Sequence, residues 1–296
     1  MGIDSAHYHP WHGKLRSPWR ATSAVIRTTL AQALRRKAYW FIYFVGAAQF
    51  LFYWAIIYLL TQTEASPQMQ RGMLQMIGFS ATAADPQDTG YLKFMNGQSA
   101  VVMILLAFCG STIVGGDFRD GALPFYLSRR IDRRHYIAGK VLATASLIWL
   151  LTVVPALLLF LEFGMFTTSL DYWSEHWRVV PAILGYGLVL GLSLAVWLVA
   201  LSAYLQKLAP IAITWSSLFV LLAVLAEMLV NASGDSYWSL LDPWGDIRLA
   251  GRYFFGTFPA ADDAELSRWA AAILVVATGL ALALLVRRVR AVEVAT

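Results

Sequence analysis

Six stretches of this 296-residue chain are long and apolar enough to cross a bilayer. Five of them, at roughly 39–60, 98–116, 141–161, 182–203 and 211–230, suffice to cross ~30 Å of hydrocarbon at ~1.5 Å per residue. The sixth, 269–286, is shorter but still sufficient. Only 14% of the residues are charged, against about a quarter in soluble domains, so the solvated surface a globular protein needs is missing. The expected fold class is an all-α polytopic membrane protein with six transmembrane helices.

Charge orients it. The formal net charge of +5 could suggest nucleic acid, but its distribution argues for a membrane. With six spans, the N-terminus, the 117–140 loop, the 204–209 turn and the C-terminus share one side. That side holds all of the 23 Lys and Arg residues except Arg71, Lys93, Arg178, Arg248, Arg252 and Arg268. This is the positive-inside bias, and it puts both ends in the cytoplasm. The basic residues then read as topology signals and contacts to anionic lipid, with no nucleic-acid partner. Residues 1–37 contain no apolar core of a secretory signal, so none is expected. A single cysteine, Cys109 in the second span, excludes an intrachain disulfide and reads as a small packed residue.

Five regions organise the chain. Residues 1–18 read as a mobile tail; His7, His9 and His12 lie in it without a partner at metal-ligand spacing. Residues 19–37 read as an amphipathic helix lying in the interface, with Trp19, Ile26, Leu30, Ala33 and Leu34 on one stripe and Arg20, Arg27 and Arg35 on its flank. Residues 38–287 hold the six-span domain, and 288–296 form a cytoplasmic tail. Within the domain, Gln68–Phe79 can form a short surface helix, and Pro155 is expected to kink the third span. Glu162 is expected at the interface. Gly187 and Gly191 form a small-xxx-small pair that allows close helix approach, within the chain or between two copies. Gln49 and Glu227 are polar residues in spans one and five. Each serves a helix contact or lines a polar pathway. Segment 231–268 is too aromatic for a solvated loop and is broken by Pro243 and Gly245, so it reads as broken, partly embedded helices.

Much chemistry is missing. There is no G-x-x-x-x-G-K-[ST] phosphate cradle; Gly13-Lys14 and Gly139-Lys140 are followed by Leu15 and Val141. There is no H-E-x-x-H and no G-x-S-x-G. The span centres carry no Asp, Glu, Lys, Arg or His, which argues against an ion-driven pump. The chain is therefore not expected to be an enzyme or to bind a cofactor or metal, and its energy is expected to come from elsewhere.

The loop between spans two and three is the most informative segment. Asp117 can cap a helix, with Asp120 near its positive end. Phe118, Leu123, Phe125, Tyr126 and Leu127 are apolar residues amid cations, which suits insertion into a groove on a soluble partner. A basic loop that only fixes topology accounts for the same residues. The run Asp117, Arg119, Gly121-Ala122-Leu123, Leu127-Ser128-Arg129, Arg133, Tyr136 and Gly139-Lys140 resembles the corresponding loop of type-2 ABC exporter permeases. It departs at Arg130, where that family often has Pro. The interfacial "elbow" helix, six spans and a broken outer segment before span six agree with that family in layout.

The resemblance implies a permease that pairs with a second one, identical or homologous, above two soluble ATPase subunits. ATP and Mg would sit on those subunits. A coupling helix at about 117–127 would dock on them, with Asp117, Phe118, Arg119, Asp120, Gly121, Leu123 and Phe125 at the contact. Gly121 would allow close backbone approach. Ser128, Arg129, Arg133, Tyr136, Gly139 and Lys140 complete the loop motif. Two other classes stay open: a non-transporting scaffold or sensor subunit, and a membrane enzyme acting on lipid through Asp242, Asp246 or Asp262.

Overall fold

A computed structural model describes residues 18–62, 66–79, 89–110, 113, 115–121, 132–166, 171–257 and 261–294. Among the described residues every regular element is helical, and six helical spans are long and apolar enough to cross a membrane. The protein is an all-α polytopic membrane protein. Spans two, three and four form the buried centre, and spans one, five and six carry most of the exposed apolar surface.

The chain begins with α1 (Pro18–Leu34), followed by span one, α2 (Lys37–Gln62). A surface helix follows, α3 (Pro67–Ile77). Ser66 caps its first turn by accepting from the Met69 N–H, and Gly78 at φ 79° ends it. Span two is α4 (Thr89–Gly97) and α5 (Ser99–Gly110). It starts well before the 98–116 expected from hydropathy. The polar residues of α4 diluted the signal, yet Tyr91, Leu92, Phe94 and Met95 are buried by protein rather than lipid. Asn96, at the end of α4, accepts from the Tyr186 hydroxyl at 2.7 Å.

After span two comes a single turn, α6 (Gly116–Arg119), and then span three, α7 (Arg133–Leu151) with α8 (Val153–Phe166). The break at Thr152 has a local cause. Pro155 has no N–H for the Leu151 carbonyl, and its ring crowds that carbonyl. A short helix, α9 (Asp171–Glu175), leads to spans four and five, α10 (Val179–Leu205) and α11 (Leu208–Ser233). Glu162, expected at an interface, is buried within the chain with neither carboxylate oxygen hydrogen-bonded.

The segment before span six is broken, as its sequence indicates. Gly234 at φ 72° ends α11, a 3-10 turn covers Ser236–Leu241, and α12 (Pro243–Phe255) follows. Asp242 caps α12 by accepting from the Trp244 N–H at 3.0 Å. α12 buries Asp246, Ile247, Ala250, Gly251 and Phe255 against spans four, five and six and the start of span two. The last helix, α13 (Ala261–Val294), contains span six at Ala264–Arg290.

Polar and small residues fasten the centre. Gln98 donates to the Gly46 carbonyl at 2.9 Å, and Gln49 donates to the Phe94 carbonyl at 3.4 Å, tying span one to the first half of span two and to the break between its halves. Gly191 seats Trp149 of span three, whose Nε1 donates to the Gly187 carbonyl at 2.8 Å, and Gly187 makes room for Val153. The small-xxx-small pair is therefore used inside this chain.

α1 packs chiefly on α7, through one edge of its apolar stripe and the small residues beside it. The buried residues are Thr22, Val25, Thr29 and Ala33; Ala33 belongs to the stripe, the other three lie to one side of it, and Leu30 and Leu34 are half-buried. Trp19 is 71% exposed and only its edge meets His135. The physical reason is distance. A Cβ on Gly139 would lie 2.7 Å from Val25, so α1 approaches α7 on its small-residue face and leaves its bulky face toward the surroundings. Trp40 of span one secures the end of α1 by donating to the Leu34 carbonyl at 2.8 Å.

Candidate functional site

Two places gather functional side chains, one at each end of the bundle. At the end that holds α1, the backbone leaves span two through Ile113 and Gly115 into α6. Asp117 does not cap this turn: Gly115 is the N-cap and no side chain bonds there. The Asp117 carboxylate turns inward instead. Its Oδ2 takes a 2.7 Å ion pair from Lys140 Nζ and a 2.7 Å hydrogen bond from the Tyr136 hydroxyl. Lys140 Nζ also donates to the Ile113 carbonyl at 2.6 Å. The Lys140 side chain is 2% exposed and that of Asp117 12%. Asp117, expected at a partner contact, is thus engaged within the chain. It is a fastening residue, because a buried ammonium needs its carboxylate more than a helix end needs a cap.

Arg119 and Asp120 point outward. Arg119 Nε donates to Asp120 Oδ1 at 2.8 Å and its Nη2 to Oδ2 at 3.3 Å. The shared hydrogen bonds raise the Arg119 pKa and lower that of Asp120, so both stay charged. Phe118 is half-buried against the chain's own core. Gly121 has φ 63° and nothing within 4 Å of a would-be Cβ. Within the chain it makes a left-handed turn. Gly115 is the residue under close approach: a Cβ there would meet the Gln206 backbone in the turn between spans four and five. Of the loop motif, Tyr136, Gly139 and Lys140 are buried on α7, with Arg133 half-buried at its start. Leu123, Phe125, Ser128 and Arg129 lie outside the described residues, as do His7, His9 and His12.

Sequence reasoning missed the Asp117–Lys140 joint. A signal was present: an Asp closes span two and a Lys sits well inside the helix of span three, where an unpaired cation is disfavoured. The polar span residues divide. Gln49 makes the interhelical bond described above, and Glu227 is exposed on span five.

At the opposite end, Asp242 accepts from Arg248 Nη2 at 3.1 Å as well as capping α12. Asp246, one turn on, is 1% exposed and its Oδ1 has no hydrogen-bond partner. Burial, with a smaller contribution from Asp242, pushes its carboxyl up to about 7. Asp262 lies outside the described side chains. Three open apolar cavities reach this end. One of about 540 Å³ lies between spans two and five beside Asp242 and Arg248. One of about 910 Å³ lies between spans four and six near Arg268. The third, of about 640 Å³, is bounded by spans four, five and six and lined by Asp246. No group of three metal-ligating side chains converges among the described residues.

The chain matches no protein-family model, and no curated protein matches it in sequence.

Proposed function

We propose that this chain is the membrane-spanning permease subunit of an ATP-driven exporter, powered by separate ATPase subunits docked on the face formed by α1 and α6. The observation that carries this reading is the buried Asp117–Lys140–Tyr136 joint. It fastens the end of span two to the start of span three. A push on the exposed Arg119–Asp120 pair would therefore move both spans together. α1 lies on the same stretch of α7 through Gly139, and Gly115 abuts the turn between spans four and five, so these connections would move as one body. That is what rigid-body switching by a partner requires. In this reading two ATPase subunits carry ATP and Mg, a second permease, identical or homologous, completes the pathway, and both termini are cytoplasmic. The membrane is a bacterial or archaeal-type plasma membrane. The absence of a phosphate-cradling motif in the sequence fits a subunit that borrows its energy.

The test is purification of the full chain from its native membrane. A stoichiometric soluble ATPase should accompany it. The double variant Phe118→Ala with Asp120→Arg should insert normally yet release the ATPase or abolish its stimulation. Undiminished ATPase binding and stimulation would remove α6 from the interface, and a native complex without any ATPase would sink the reading.

A further inference from the structure

Spans five and six both pack on span four, and a groove is left between them. Its floor is Trp197, Leu201 and Tyr204 of span four, and its walls include Trp215 of span five and Ala277 of span six. Span six lines it from Ile273 to Leu284, about 16 Å of helix. The 3-10 turn and the start of α12 roof it, through Leu240, Leu241, Pro243 and Asp246.

Two buried polar groups on this groove lack partners. Asp246 Oδ1 accepts no hydrogen bond, and Trp215 Nε1, on a side chain 1% exposed, donates none. Buried polar groups in folded proteins are ordinarily satisfied, and each exception asks for an explanation. Trp197 Nε1 donates to Thr278 at 3.1 Å, the Tyr204 hydroxyl donates to the Leu284 carbonyl at 3.1 Å, and Arg248 is paired with Asp242. The side chains of Asp246 and Trp215 thus both line a groove whose other walls are mostly apolar and aromatic.

We infer that this groove is a binding site for a hydrophobic amine, its ammonium held by Asp246 and its apolar body lying between spans five and six. The charge decides the sign. A carboxylate under a roof of apolar residues gains most from a cation that brings both opposite charge and N–H donors. Aromatic walls add favourable contact with a cation's flanks, and the open side lets an amphiphile enter from the bilayer. The inference rests on the groove alone and is independent of how α6 is used.

Radiolabelled dodecylamine, with dodecanol and dodecanoate as competitors, tests it on the full-length protein in nanodiscs. Saturable amine binding is expected, with the alcohol and the acid competing at least about tenfold more weakly. Asp246→Asn should weaken amine binding about tenfold or more, and Asp246→Glu should retain it. Ala277→Trp fills the groove without touching the carboxylate and should abolish binding in a protein that remains monodisperse; this keeps the test decisive where Asp246→Asn fails to fold. Equal binding of amine, alcohol and acid, or wild-type affinity in either Asp246→Asn or Ala277→Trp, would overturn the inference.

Discussion

Lys140 carries its positive charge to a position only 2% exposed, and the surroundings are built to receive it. The carboxylate of Asp117 supplies the charge and the Ile113 carbonyl a second acceptor. Removing one member leaves the other charge buried. Lys140→Met and Asp117→Asn should each lower stability by about 3–5 kcal/mol. The double variant should lose less than the sum of the two, as read by thermal unfolding in detergent. Asp246 gives a pH-dependent counterpart. Its carboxyl is raised to about 7 in the folded protein, so the folded state holds the proton more tightly than the unfolded chain does. Stability contributed by that proton is present in acid and is lost as pH rises from the ordinary carboxyl range through 7. Above that the deficit is constant. Asp246→Asn should therefore raise the melting temperature at pH 8, by about 5 °C, and have little effect near pH 4. An equal shift at both pH values would mean that Asp246 does not titrate as described.

α1 shows how an element's sequence pattern and its packing can diverge. Its apolar stripe was legible at helical spacing, and its arginines are exposed where the pattern puts them. The face it buries was legible only in part, at Ala33, Leu30 and Leu34. That choice depends on Gly139, more than a hundred positions along the chain, which leaves room for Val25 and a flat small-residue surface. Gly139→Leu should push α1 off α7. The expected loss is about 1–3 kcal/mol, from overpacking at a tight contact. Trypsin should then cut faster at Arg20 and Arg27, and unchanged digestion would show that α1 is held elsewhere. α12 is the opposite case. Pro243 and Gly245 announced a break, and Asp242 takes the cap position that a residue before Pro offers.

For the molecule as a whole, the positive-inside bias predicts which ends share a side. Cys109 is fully buried, so a Cys109→Ser background permits labelling of introduced cysteines with a membrane-impermeant maleimide. In intact cells Asp235→Cys and Glu175→Cys should react, whereas Asp132→Cys and Lys207→Cys should react only after the membrane is opened. The reverse pattern would invert the orientation, and with it the face assigned to the ATPase. Spans one, five and six leave most of their apolar surface uncovered by this chain, which suits lipid or another membrane-embedded protein but not water.

Hydropathy sufficed for the number of spans, the class of fold and the broken segment before span six. These follow from local composition, because length and polarity decide whether a segment can sit in hydrocarbon and where its backbone must stop being helical. Pro155 belongs with them, since the break it makes is written in its own ring. The other assignments needed the folded chain. Span two begins inside a protein-lined site, where burial by other helices substitutes for hydropathy. Asp117 turns from cap to ion-pair partner because Lys140 reaches it from the next span. Gly187 and Gly191 take Val153 and Trp149 of span three. Asp246 becomes a lone buried carboxylate only because three spans and a roof enclose it. Each is a contact between residues distant in the chain, and the free energy of such a contact depends on which surfaces meet, a property that no single segment contains.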